Sequence, residues 1–140
     1  MAKKAFIPER LRRQVQERAQ GRCEYCLIHE VDMYYPHEAD HVIAEKHGGS
    51  TSLANLAWAC FYCNRFKGSD LSSVDPLSHK IVPLFNPREQ SWKRHFRLNG
   101  GLIEGITASG RATVALLHLN DAERVAYRLG LIEIGHYPAR

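Results

Sequence analysis

The sequence has no uninterrupted apolar run approaching the ~20 residues of a membrane-spanning helix, so nothing in it suggests a membrane partner. Its first residues, Met1-Ala2-Lys3-Lys4, are not followed by an apolar stretch with a small-residue cleavage site. The expected location is therefore the cytoplasm, where structural disulfides are rare. No internal repeat and no low-complexity tract is present, which sets aside solenoid arrays and long flexible linkers. Charge is only mildly unbalanced, at +4 over 140 residues, which is consistent with a polyanionic partner without requiring one. Sulfur is scarce too, with two methionines and four cysteines.

Those four cysteines fall in two pairs of the same spacing, Cys23-Glu24-Tyr25-Cys26 and Cys60-Phe61-Tyr62-Cys63. A dithiol redox motif would sit alone near a βαβ pattern, whereas a repeated Cys-x-x-Cys matches a four-thiolate zinc site. The gap between the pairs is longer than in small zinc ribbons, so the inserted segment must carry something. It holds Asp40-His41, a Gly48-Gly49 turn and Asn55 ahead of the apolar run Leu56-Ala57-Trp58-Ala59. Asn64 and Lys67 follow the last cysteine.

From Cys23 to Lys67 these residues resemble the HNH endonuclease family, whose ββα-metal core is clamped by a four-cysteine zinc. The resemblance puts Asp40 and His41 at the end of the first strand, Asn55 in the loop after the glycines, and Asn64 just past the last cysteine. The family most often has histidine at that last place. The implied activity is metal-dependent hydrolysis of phosphodiester bonds in DNA, with RNA as the alternative substrate. Such chemistry needs a base to activate water and a cation to neutralise charge on the phosphoryl and leaving oxygens. Histidine is the side-chain type whose reference pKa lies nearest neutrality, so His41 suits the base. Asp40 and the Asn64 carbonyl would hold magnesium or manganese, hard ions that prefer oxygen, while Cys23, Cys26, Cys60 and Cys63 hold structural zinc. Asn55 is expected to hold the loop and the His41 ring in place. Because neighbouring side chains on a strand diverge, some distortion is expected between Asp40 and His41. One such core cuts one strand, which makes a homodimer one route to a double-strand break. Two rival readings stand beside this one: a non-catalytic zinc-dependent nucleic-acid-binding module, and a ribonuclease or toxin-like effector on the same scaffold.

Period-two alternation puts Glu38 on the face of Asp40, where it could assist the metal, while His37 is expected to coat the strand. His47, Arg65 and Lys67 are candidate phosphate contacts. The expected fold is an α+β single domain over 1–140: a zinc-stapled ββα-metal core over 8–68, including an N-terminal helix, and a bracing hairpin-plus-helix extension over 69–140.

Local patterns fill in that outline. Pro8 to Gln20 reads as a helix with an inner stripe of Leu11, Val15 and Ala19 and an outer face made basic by Arg10, Arg12, Arg13 and Arg18. Strand character is expected at Val31 to Tyr35, a strand from His37 to Ile43, a return strand over Leu56 to Ala59, and a short helix from Phe61 to Lys67. On that helix Tyr62 and Phe66 are expected to pack inward. Ser69 to Gln90 reads as an irregular wrap anchored by Ile81, Val82, Leu84 and Phe85. Asn99-Gly100-Gly101 signals a hairpin joining 92–98 to 102–107. Helices are expected over Gly110 to Leu119 and Asp121 to Leu129, the second capped by Asn120 and stopped or interrupted at Gly130. The segments Leu84-Phe-Asn-Pro-Arg88, Trp92-x-x-His-Phe96 and Gly110-Arg-Ala-Thr-Val114 resemble those of small stand-alone HNH proteins. His95 and His118 are expected to be structural.

Overall fold

A computed structural model describes residues 6–138, arranged as five helices and three two-stranded antiparallel sheets. Helix α1 (Glu9–Arg18) leads to the first cysteine pair, and a 3-10 turn (Glu30–Asp32) precedes strand β1 (Glu38–His41). Strand β2 (Leu56–Ala59) pairs with β1, and helix α2 (Phe61–Lys67) follows at once. The remaining elements are β3 (Ser72–Val74), β4 (Ile81–Pro83), the one-turn helix α3 (Trp92–His95), β5 (Phe96–Asn99), β6 (Leu102–Gly105), α4 (Ala108–Leu116) and α5 (Ala122–Glu133). The fold is α+β, and among the described residues no helix is long and apolar enough to cross a membrane.

The α1 stripe lands where its spacing requires: Val15 is fully buried with Leu56 and Trp58, and Leu11 and Ala19 pack alongside. Two of the four basic residues on this helix serve the fold. Arg18 donates to the carbonyls of Leu53 and Leu56, and the Arg12 guanidinium lies 5.1 Å from the centre of the Trp58 ring. Arg10 and Arg13 remain exposed. No strand forms over Val31–Tyr35, because the His29 ring accepts from the Val31 amide and turns the chain into the 3-10 segment.

The second half of the chain closes over the first cysteine pair. Trp92 Nε1 donates to the Tyr25 carbonyl at 2.9 Å, the Tyr137 hydroxyl donates to the Cys26 carbonyl at 2.9 Å, and Arg88 pairs with the Glu24 carboxylate. Phe85, Phe96, Ile103, Leu117, Leu119 and Leu131 join the four cysteines in one buried cluster. In the expected irregular wrap, β3 and β4 instead form a short hairpin. Of the four expected anchors only Leu84 and Phe85 are buried, and Ile81 is mostly exposed. Three-residue strands built on Ser72, Ser73 and Pro83 carry too weak a pattern to be read. Their turn is set by Asp75, which accepts from the Leu77 and Ser78 amides and is gripped by both arms of Arg111 at 2.9 Å.

Two expectations for the last helix are corrected. Asn120 does not cap it, because its amide brackets the Ile103 backbone, accepting from the nitrogen at 2.9 Å and donating to the oxygen at 2.8 Å. Gly130 does not stop it either. A mid-helix glycine costs only about 1 kcal/mol relative to alanine, and buried Arg128 and Leu131 on either side hold the helix through to Glu133.

Candidate active site and metal centre

The four cysteines converge although their pairs lie far apart in sequence. All are fully buried and free of disulfides, their sulfurs lie within 4.8 Å of one another, and Cys26 and Cys60 are 3.7 Å apart. Zinc–sulfur bonds of ~2.3 Å in a tetrahedron require sulfur–sulfur edges of about 3.8 Å, so the cluster fits a zinc ion in size and donor type. Each pair forms a turn in which the second amide points back at the first sulfur: Cys26 N to Cys23 Sγ and Cys63 N to Cys60 Sγ, both 3.4 Å. In the second pair this turn doubles as the start of α2, since Cys60 is the cap residue. Burial pushes the Cys23 and Cys63 thiols up, while hydrogen bonds from the other three cysteines pull Cys26 down.

Beside this centre stands the β1–β2 pair. The register is regular, with Glu38 opposite Ala59, Asp40 opposite Ala57 and His41 opposite Leu56. The expected distortion between Asp40 and His41 is therefore absent. The strand simply ends at His41, and ordinary alternation separates the two side chains. Glu38 faces α2, because its carboxylate accepts from the Asn64 amide nitrogen at 2.8 Å. Asp40, two residues on, shares that face. The same contact commits the nitrogen end of Asn64 to Glu38, so the carbonyl end is the one turned away from that carboxylate.

His41 belongs to a different neighbourhood. Its Nε2 lies 2.9 Å from the Thr51 hydroxyl, in the loop after the two glycines. Asn55 fixes that loop but does not touch the ring, as had been expected of it. Its Oδ1 accepts from Ile43 N at 3.0 Å, and its Nδ2 donates to the carbonyls of Ile43 and Ser50, both at 2.8 Å. Since Ser50 precedes Thr51, Asn55 reaches His41 through the loop. Gly49 makes this clamp feasible: a Cβ there would fall 1.7 Å from the Ile43 oxygen and 2.7 Å from Asn55 Nδ2. Gly48 takes the left-handed conformation, φ +87°, that closes the preceding 3-10 turn.

The three basic candidates separate. Lys67 is 3% exposed, and its Nζ donates to the Val42 carbonyl at 2.9 Å, so it braces α2 against the end of β1 and is not a surface phosphate contact. Burial pulls its amine below the ordinary lysine value, and the neighbouring Asp40 carboxylate opposes that shift. His47 is exposed on the turn over 45–47. Arg65 is exposed with its guanidinium 4.9 Å from the centre of the Phe61 ring. His37, expected on the surface of the strand, is buried with Nε2 2.9 Å from the Ile28 carbonyl. Tyr62 and Phe66 do not pack inward; 40% and 38% exposed, they line an open groove with Tyr34, Tyr35 and Tyr127.

Two residues that the sequence did not single out complete the picture. Thr51 lies in a Gly-Gly-Ser-Thr-Ser run whose turn character is plain but whose contact with His41 is not. Arg124 comes from α5 and places Nη2 3.2 Å from Cys63 Sγ and 3.8 Å from Cys60 Sγ.

Residues 23–70 match the family model described as HNH endonuclease, and Asp40, His41, Asn55 and Asn64 all lie within the matched residues. The chain is also 27% identical over 120 residues to the Septu protein PtuB of Bacillus thuringiensis. That alignment takes in 83% of this chain and 43% of the relative, so the chain spans less than half the length of that protein. No solved structure matches.

Proposed function

We propose that this chain, whose residues 23–70 match the HNH endonuclease family model, is a metal-dependent endonuclease that hydrolyses phosphodiester bonds in DNA. The observation that carries this reading is the convergence of β1, the Asn55-clamped loop and α2. Asp40 and His41 lie side by side on β1, Asn64 of α2 meets Glu38 of the same strand, and the clamped loop holds the His41 ring through Thr51, all within the unit that carries the second cysteine pair.

His41 is the general base. The Thr51 hydroxyl lies 2.9 Å from Nε2, and in the tautomer that donates Nε2–H to it the ring leaves Nδ1 unprotonated and able to accept a proton from water. Asn55 keeps the Thr51 loop fixed and thereby keeps the ring oriented. Asp40 and the Asn64 carbonyl are the oxygen donors that would hold magnesium or manganese, and Glu38 turns Asn64 toward that task by binding its nitrogen. A bound divalent ion there supplies charge stabilisation for the phosphoryl and departing 3′ oxygens. Exposed Arg10, Arg13, Arg65 and His47 are left to meet the phosphate backbone, where contacts contribute affinity without reading sequence. The four cysteines would hold zinc, with Cys60 also capping α2, and they take no part in the chemistry.

The test is incubation of the purified protein with supercoiled plasmid, single-stranded DNA and RNA, in magnesium, manganese or chelator. Metal-dependent nicking of plasmid supports the proposal. Cleavage of RNA alone would move the substrate class to the ribonuclease reading, and binding of DNA without any cleavage would favour the non-catalytic module.

A further inference from the structure

A zinc ion with four thiolates carries a net charge of −2, and all four cysteines here are fully buried. Buried charge is costly unless paired. The two Cys-x-x-Cys turns offer only amide dipoles to the sulfurs. One full cation reaches them among the described residues: Arg124, with Nη2 at 3.2 Å from Cys63 Sγ and 3.8 Å from Cys60 Sγ. Its other arm, Nη1, donates to the Leu117 carbonyl at 2.8 Å, which fixes the plane of the guanidinium against the end of α4. One turn further along α5, Arg128 spends its guanidinium on the carbonyls of Gly101 and Leu119. Helix α5 is thus fastened by backbone carbonyls at Arg128 and by cysteine sulfur at Arg124.

We propose that Arg124 is the charge-compensating partner of the zinc thiolates, so that the metal holds α5 against the core and α5 in return retains the metal. This rests on the zinc reading of the cysteine cluster. It gives the C-terminal extension a role beyond bracing, because a residue 61 positions after Cys63 becomes part of the zinc centre's surroundings. Partners of metal ligands typically contribute about 10- to 100-fold in metal affinity.

The experiment uses the full chain as purified and begins with its zinc content by elemental analysis. An absence of zinc in the wild type would overturn the zinc reading itself, a failure distinct from that of the Arg124 proposal. With zinc present, its release to a chromogenic chelator is followed in wild type, Arg124→Met and Arg124→Lys, with amide hydrogen exchange over residues 117–133 and over α1 as the control. The expected result is release about ten-fold or more faster in Arg124→Met, with faster exchange in α5 and unchanged protection in α1, and retention largely restored by Arg124→Lys. Release from Arg124→Met within two-fold of wild type overturns the proposal. Should Arg124→Met fail to fold, Arg124→Lys decides. A folded lysine variant that keeps its zinc supports charge compensation, and one that also fails to fold or sheds zinc assigns Arg124 to packing alone and overturns it.

Discussion

Replacing Asn55 with alanine isolates the link between loop order and catalysis. The side chain is 8% exposed and makes three hydrogen bonds to backbone, two at Ile43 and one at Ser50. At a net value of about 1 kcal/mol each, their loss would cost about 3 kcal/mol if none were replaced. Ser50 is exposed, so water can take over its carbonyl, and Ile43 is half-buried. The expected loss is therefore about 2–3 kcal/mol in denaturant unfolding, with the zinc retained. Because Thr51 would lose its anchor, His41 would lose its orientation, and cleavage should fall by about 10²-fold, as for a misplaced catalytic group. Asn55→Asp should do no better, since it keeps the acceptor for Ile43 N but points a carboxylate at two carbonyl oxygens. A stability loss below about 0.5 kcal/mol in Asn55→Ala, or wild-type cleavage by a destabilised Asn55→Ala protein, would refute the reasoning.

Gly49→Ala should open the same loop without touching any catalytic group, because its methyl would collide with the Ile43 carbonyl; lowered thermal stability with reduced cleavage is expected, and wild-type behaviour would count against the clamp. The Asp75 carboxyl is held well below the usual range by Arg111, and a depressed folded pKa means its stabilisation is present above the unfolded value near 3.9 and is lost as pH falls further. Stability should thus drop on acidification below about pH 4 in the wild type and less steeply in Asp75→Asn, and identical acid limbs would remove Asp75 from the account. Mild chelation should stop cleavage while zinc stays bound, since oxygen donors hold a hard ion less tightly than four thiolates; simultaneous loss of both would mean that one metal serves both purposes. Asn64→Ala should raise the magnesium or manganese concentration needed for half-maximal cleavage, and an unchanged metal dependence would remove Asn64 from the site.

What could be read from sequence was what rests on local spacing. The bounds of β2 and α2 match their expected residues because an apolar run and a Cys-x-x-Cys turn punctuate them, and the cysteine cluster follows from two repeated pairs. Lys67 and His37 were misread for a common reason. A polar side chain is buried when a distant carbonyl is available to it, here those of Val42 and Ile28, and no spacing rule announces such a partner. The same blindness hid Thr51 and Arg124, whose contacts with His41 and Cys63 arise from tertiary closure. Tyr62 and Phe66 have the i, i+4 spacing of an inward face, yet α2 gives its buried side to Cys63 and Lys67.

The central claim, that His41 is the catalyst and the cysteine cluster is scaffold, is tested by comparing His41→Ala with Cys60→Ser on supercoiled plasmid in magnesium or manganese. His41 is half-buried and its ring nitrogen meets the Thr51 hydroxyl of a surface loop, so its removal should leave zinc content, cooperative unfolding and DNA affinity intact. Cleavage should fall by about 10² to 10⁴. Cys60→Ser should lose zinc and cooperative unfolding together, because structural zinc in a small domain contributes folding energy directly. A folded, zinc-loaded His41→Ala protein that cuts plasmid at the wild-type rate, with contaminating nuclease excluded, would contradict the account.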